Sequence, residues 1–433
     1  MLFNPGNVLA ALFILTYPAA TLVVHGGASA LLIAATLISL GALAVPGALP
    51  RMPQTGDSDR VVIATCFALA SPLVATLLSE LWHGKLVMSL LDSPSRFIAA
   101  VPIMFALRRL SVRTLMWSDL SFAIGAIASL VVLKIAAREA EGRMASSFLD
   151  AIHFGDIALV LGALSALSLN WWRKDHTAVR VVKLIGLLAG LYASVLTGSR
   201  GGWLAIPFVA VIIVYVRGRE KSGTWRLLIP LAVLVGMAGV CMSSSYVRER
   251  IFLVWSDVVQ YSHGHKDTST GVRLQLYEAA FVLMQNHLVF GLGPNGFANS
   301  MQALADAGRL TPMAAALGRG ETHNQMLAYA ANYGIVGAIA GIALHLMPCV
   351  LFARYLKASA APMRRAALLG LTFVVSFWIF GLSVETFDLK MVASFYAAVI
   401  AILGGIAASP AALVPQCATP SSISGAQSQC SAS

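Results

Sequence analysis

Residues Thr197 to Trp203 read T-G-S-R-G-G-W, one arginine set in a bend of glycines between two apolar runs. Gly198, Gly201 and Gly202 allow tight turning and close approach of a ligand to the backbone. Arg200 could snorkel to lipid headgroups. A guanidinium fixed in such a bend also suits a phosphate, whose oxygens match its planar fork. Arg273 lies in the first turn of a helical run, V-R-L-Q-L-Y-E-A-A-F-V-L-M-Q-N-H-L-V-F. The helix dipole and the guanidinium would together attract an anion. A solvated charge is the competing reading. His323, in E-T-H-N-Q, opens another apolar run. A lone histidine commonly serves as a hydrogen-bonded structural group, but an ordinary pKa near ~6.5 also suits it to general-base work.

Three other motifs fail on context. Gly291, Gly293 and Gly296 match GxGxxG but follow a helix, and Pro294 removes an amide that a phosphate would use. The stretch is expected to be a turn. Asp57-Ser58-Asp59 resembles a metal-binding DxD, yet the charge pattern puts it on the side opposite the other candidates. His263-Gly264-His265 lies in a polar break without further ligands.

The elements that must position these residues are apolar. The 433-residue chain is 58% hydrophobic and 11% charged, with mean hydropathy +0.79. Soluble domains average about 25% charged residues, so the composition predicts an all-α integral membrane protein. The net charge of +11 does not imply nucleic acid, because the basic residues are scattered through loops. The five cysteines show no CxxC spacing. No Lys or Arg precedes Arg51, so the start lacks the charged region of a cleavable signal peptide.

Twelve spans are expected, at about 8–24, 28–49, 61–80, 95–109, 116–137, 151–170, 179–197, 202–217, 227–244, 325–353, 366–384 and 391–408. The tenth is long enough to tilt. Loops on one side, holding among others Arg51, Arg60, Arg108, Arg109, Arg113, Arg173, Lys174, Arg217, Arg219, Arg354 and Arg364, carry more than half of the 30 basic residues. The positive-inside rule makes that side cytoplasmic. The expected organisation is spans one to nine over 1–244, an outward-facing helical loop over 245–324, spans ten to twelve over 325–408, and a disordered tail over 409–433. The loop begins with an amphipathic helix, its apolar positions Val247, Ile251, Val254, Trp255 and Val258. Glu80, Asp92, Asp150, Asp156, Glu385 and Asp388 also lie toward the outer side.

T-G-S-R-G-G-W before a span, a long outer loop with an arginine, then H-N-Q-x-L and Y-G-x-x-G (Tyr333, Gly334, Gly337) resemble the O-antigen ligase and polymerase superfamily. The resemblance covers about residues 190 to 340 and extends to the twelve-span layout. It implies a GT-C-type inverting glycosyltransferase, acting without metal or other cofactor in the bacterial inner membrane, with its site facing the periplasm. The implied donor is a glycan on undecaprenyl diphosphate, and in the ligase branch the acceptor is a sugar hydroxyl of lipid A-core. Membrane lipids, and no nucleic acid, complete the implied partners. Arg200, Arg273 and His323 match the catalytic residues. Arg200, Arg273, Gly201 and Asn324 form the substrate-binding set. A polymerase, or an oligosaccharyltransferase acting on protein, would share this chemistry. A secondary transporter or an inactive scaffold are the readings from other classes.

Overall fold

A computed structural model describes residues 5–49, 56–140, 143–199, 201–218 and 245–410. Arg200, the expected ninth span and nearly all of the tail fall outside the described residues. Those described are mostly helical. The membrane helices are α1 (Pro5–Val23), α2 (Gly27–Ala44), α3 (Gly56–Trp82), α4 (Met88–Leu107), α5 (Ser121–Ala136), α6 (Ala151–Leu167), α7 (Thr177–Thr197) and α8 (Ala205–Gly218). After the insert come α13 (Gln325–Tyr355), α14 (Ala361–Phe380) and α15 (Lys390–Ala407). Among the described residues nine helical stretches are long and apolar enough to cross a membrane, and α6 and α8 are shorter apolar helices. The protein is therefore a multi-pass membrane protein. A small antiparallel hairpin, β1 (Arg138–Ala140) with β2 (Arg143–Ala145), pairs Glu139 with Met144.

At the centre stands α15, with 89% of its apolar window buried. Such a helix is hydrophobic all round because neighbours cover every face. Its Tyr396 packs in an aromatic cluster with Phe373, Phe377 and Phe387. The Tyr396 hydroxyl donates to the Leu344 carbonyl at 3.0 Å, and Tyr17 donates to the Ser394 carbonyl at 2.9 Å. Such pairing is obligatory where no water reaches.

Two spans depart from expectation. The fourth was expected over 95–109, yet α4 begins at Met88. Asp92 ion-pairs with Arg96 one turn on and with Lys390 at 3.1 Å, so charges that read as loop are neutralised within the helix. The tenth, expected as one tilted helix, is broken at Gly334 (φ 66°, ψ −152°). That conformation belongs essentially to glycine. The turn after the insert's second helix causes the break by docking there: Leu292 N–H donates to the Ala331 carbonyl at 2.9 Å, and Gly293 N–H to that of Asn332 at 3.0 Å. The Ile335 N–H returns a bond to the Leu288 carbonyl at 2.8 Å. A side chain at Gly334 would strike Val289. The GxGxxG stretch is thus a turn, as expected, and it folds residues 325–333 into a short arm at the membrane boundary.

The insert contains α9 (Ser245–Ser262), α10 (Ser269–Met284), α11 (Gly296–Asp306) and α12 (Pro312–Gly318). The last three enclose a small core of Leu276, Ala280, Phe297, Met301 and Ala315. It is pinned to the end of α3, where Ser79 donates to the Phe290 carbonyl at 2.6 Å and Trp82 stacks on Phe290. On helix α9, Phe252 is 67% and Trp255 68% exposed. Its Asp257 faces α10 and accepts from Thr270.

Candidate functional site

The segment from Glu321 to Gln325 forms a strap into α13, and the loop from Gly381 to Leu389 lies against it. Asn324 caps α13, its side chain accepting from the Met326 and Leu327 N–H groups at 3.0 and 3.1 Å. Gln325 N–H donates to the Gly381 carbonyl at 2.7 Å, and the Gln325 side chain accepts from Phe387 N–H at 2.6 Å. Thr322 N–H donates to the Glu385 carboxylate, and Glu385 N–H to that of Glu321 at 3.3 Å. Two stretches sixty residues apart in sequence are thereby locked together.

Between those anchors His323 takes the left-handed conformation, with φ 57°. Histidine tolerates this region better than most residues, but it still costs on the order of 1–3 kcal/mol and persists only where surroundings enforce it. Tyr277 of α10 supplies part of that enforcement, its hydroxyl lying 3.0 Å from the carbonyls of both His323 and Leu382. The His323 side chain is 17% exposed, and its Nδ1 lies 2.6 Å from Glu321 Oε1. This is a contact of charge and proximity rather than an aligned hydrogen bond. Burial acts to raise the Glu321 carboxyl, but the adjacent imidazole and the Glu385 N–H outweigh it and hold the group below its ordinary value. A carboxylate against one ring nitrogen leaves Nε2 for chemistry and stabilises the imidazolium formed when the ring takes a proton.

Arg273 sits one turn before Tyr277 on α10, half-buried. Among the described residues it has no carboxylate partner. Burial raises the Tyr277 hydroxyl above its ordinary value, against the lowering effects of Asn324 and of the Arg273 charge. Arg273, Tyr277, Asn324 and His323 thus form one constellation.

The glycine bend reaches the same loop from the other side. Gly198 ends α7 in the left-handed region, φ 65°. Ser199 donates to Asp156 at 3.0 Å. A side chain at Gly201 would strike Ser383, and one at Gly202 would strike Asp156. The structure therefore brings Gly201 and the His323–Asn324 strap against the 381–389 loop, with Arg273 one turn from Tyr277, which bonds that loop at Leu382. Arg200, between Ser199 and Gly201, lies outside the described residues.

Three contributors went unassigned in the sequence. Tyr277 has a faint signal, its i+4 spacing from Arg273. Glu321, which touches the histidine, was visible only as a neighbour two positions away. Arg143 on β2 has none: its side chain lies over Gly198, with Cγ 3.4 Å from where a Cβ would stand. The expected outliers behave as structure. Asp59 pairs with Arg108 at 2.7 Å, away from the insert, and His263 folds back on the Val259 carbonyl at 2.8 Å.

Comparison with known proteins points the same way. An uncharacterized protein of Haemophilus influenzae is 23% identical over 295 residues, which cover 66% of this chain and 72% of that protein. Residues 184–342 match the family model described as O-Antigen ligase. That stretch holds the glycine bend, the insert, the His323 strap and the Gly334 break, and the match supports membership of the O-antigen ligase and polymerase superfamily.

Proposed function

We propose that the protein is an inverting, metal-independent glycosyltransferase of GT-C type. It moves a glycan from undecaprenyl diphosphate to a sugar hydroxyl of lipid A-core, at the periplasmic face of the bacterial inner membrane. The observation that carries this reading is the strained His323 held against Glu321, linked through Tyr277 to an arginine without a carboxylate partner among the described residues. In the proposed reaction the acceptor hydroxyl attacks the anomeric carbon and its proton passes to His323 Nε2. The bond from that carbon to the diphosphate oxygen breaks, and undecaprenyl diphosphate leaves with the electron pair. A single displacement inverts the centre. The leaving group is already a good one, so its growing negative charge needs stabilising more than protonation, which is work for Arg273 and Arg200. Glu321 orients the ring and offsets the charge it gains.

A polymerase or a protein oligosaccharyltransferase would use the same residues, and the acceptor separates them. A transporter fits these groups less well, because its binding groups usually gather near the midplane. Here the proposed groups collect where the insert meets the membrane.

The test is transfer by the purified protein in lipid nanodiscs, with lipid-linked glycan as donor and lipid A-core as acceptor. Product should form at an undiminished rate in EDTA. Loss of activity in EDTA with recovery on adding magnesium or manganese would overturn the metal-independent step. Transfer to glycan or to protein instead of lipid A-core would move the assignment to another branch.

A further inference from the structure

Beside the His323 strap lies a half-open cavity of about 150 Å³, lined by the start of α4, the end of α12, the 325–333 arm and the loop before α15. We infer that this cavity is the subsite for the acceptor, holding a hydroxyl-rich sugar ring. The inference rests on the transfer reading above and adds where the second substrate sits.

Charge excludes the other substrate. Glu321, Glu385 and Asp388 line the cavity against one cation, Arg319, so a diphosphate brought there would meet an excess of like charge. Arg319 lies at the rim, and its guanidinium is already bonded to the Gln302 side chain. Sugar hydroxyls, by contrast, donate well to carboxylates, and such bonds are stronger than neutral ones.

A second observation is independent of the acids. Tyr329 is 7% exposed and lines the cavity. Among the described residues its hydroxyl has no hydrogen-bond partner. With no bond among those residues to give up, it is open to something that enters. Asn332 offers a complementary group: its side-chain oxygen accepts from Phe297 N–H at 3.2 Å, leaving the amide N–H groups to donate. Donors, acceptors and an aromatic edge together are what a sugar ring requires.

Position completes the argument. Glu321 belongs to both places, lining the cavity while one of its oxygens lies 2.6 Å from His323 Nδ1. A ring in the cavity is one carboxylate away from the proposed base, whereas Tyr277, bonded to the His323 carbonyl, and Arg273 one turn before it do not line the cavity. The proposal thus gives the acceptor an acidic seat beside the base and leaves the cationic seat to the donor.

The experiment measures binding of deacylated, water-soluble core oligosaccharide to the full-length protein in nanodiscs, by saturation-transfer NMR, alongside transfer kinetics. Tyr329→Phe removes only the unpartnered hydroxyl, so the fold should be kept. Asp388→Asn removes one acceptor charge. Each should weaken oligosaccharide binding and raise KM for the acceptor by about tenfold, the loss expected for one hydrogen bond to a buried or charged group. KM for the donor should not move. Unchanged oligosaccharide binding in both variants, no binding by the wild type, or a rise in donor KM instead would each overturn the subsite. Binding that behaves as expected in a protein that transfers nothing would leave the subsite standing and remove the transfer reading.

Discussion

The two sides of the candidate site are built in opposite ways. On the strap side nearly every polar group is used: Thr322 and Glu321 bond to Glu385 and Gln325 to Phe387 across two distant stretches, while Asn324 caps α13. On the cation side, among the described residues, neither Arg273 nor Arg143 has a carboxylate partner. A group that must hold a fixed position gains from satisfied bonds, because these lock its rotamer and backbone. A group that must receive an anion gains from their absence, since an internal carboxylate would compete with the ligand. The contrast assigns positioning of the base to one side and anion binding to the other, and it can be broken at either end.

The largest effect is expected at His323, the group the strap holds. His323→Ala should lower turnover by roughly 10²–10⁴ with donor binding nearly unchanged. Single-turnover kinetics beside a donor-binding titration would read both quantities. If His323→Gln keeps substantial activity, the histidine merely positions the acceptor by a hydrogen bond, and the strap side contains no base at all.

A smaller loss belongs to the cation side. Arg273→Lys keeps the charge but removes the fork that pairs with a phosphate. Loss of one such electrostatic contact costs about 10²–10³ in rate, with KM for the donor rising as well. Steady-state kinetics over donor concentration decide the matter. A folded lysine variant working at near wild-type rate would make Arg273 a solvated charge and dissolve the contrast between the two sides.

How much of this could be read from the sequence depended on how local the cause was. The apolar spans, the turn at 291–296, and the candidacies of Arg273 and His323 follow from composition and near neighbours. The break at Gly334 does not, because Y-G-x-x-G inside an apolar run has the periodicity of an uninterrupted helix. What breaks it is a turn more than thirty residues upstream. The start of α4 was missed for a similar reason: Asp92 and Arg96 read as loop until Lys390, from the far end of the chain, is seen beside them. The 381–389 loop showed its acids but not its partner, since nothing local in Glu385 says that Thr322 will donate to it. Residue type announced the chemistry, and long-range pairing supplied the geometry.

The smallest expected effect is one of pH, and it tests how firmly the strap side is closed. Burial pushes the Glu385 carboxyl up to about 7 from its ordinary 4.5, against the lowering effect of Thr322. Between those two values the folded protein holds a proton that the unfolded chain has released. Stability must therefore fall as pH rises through that window and become level above it, as far as this group is concerned. Glu385→Gln keeps an oxygen to accept from Thr322 N–H while removing the titration. The variant should match the wild type near pH 4.5 and exceed its Tm above pH 7.5, by on the order of 1–3 °C. Thermal unfolding in nanodiscs across that range measures the difference directly. A Gln variant that is less stable than the wild type at pH 8 would mean that the ionised carboxylate is what holds the strap. Glu385 would then be a charged anchor rather than a buried acid, and the strap side would depend on charge as the cation side does.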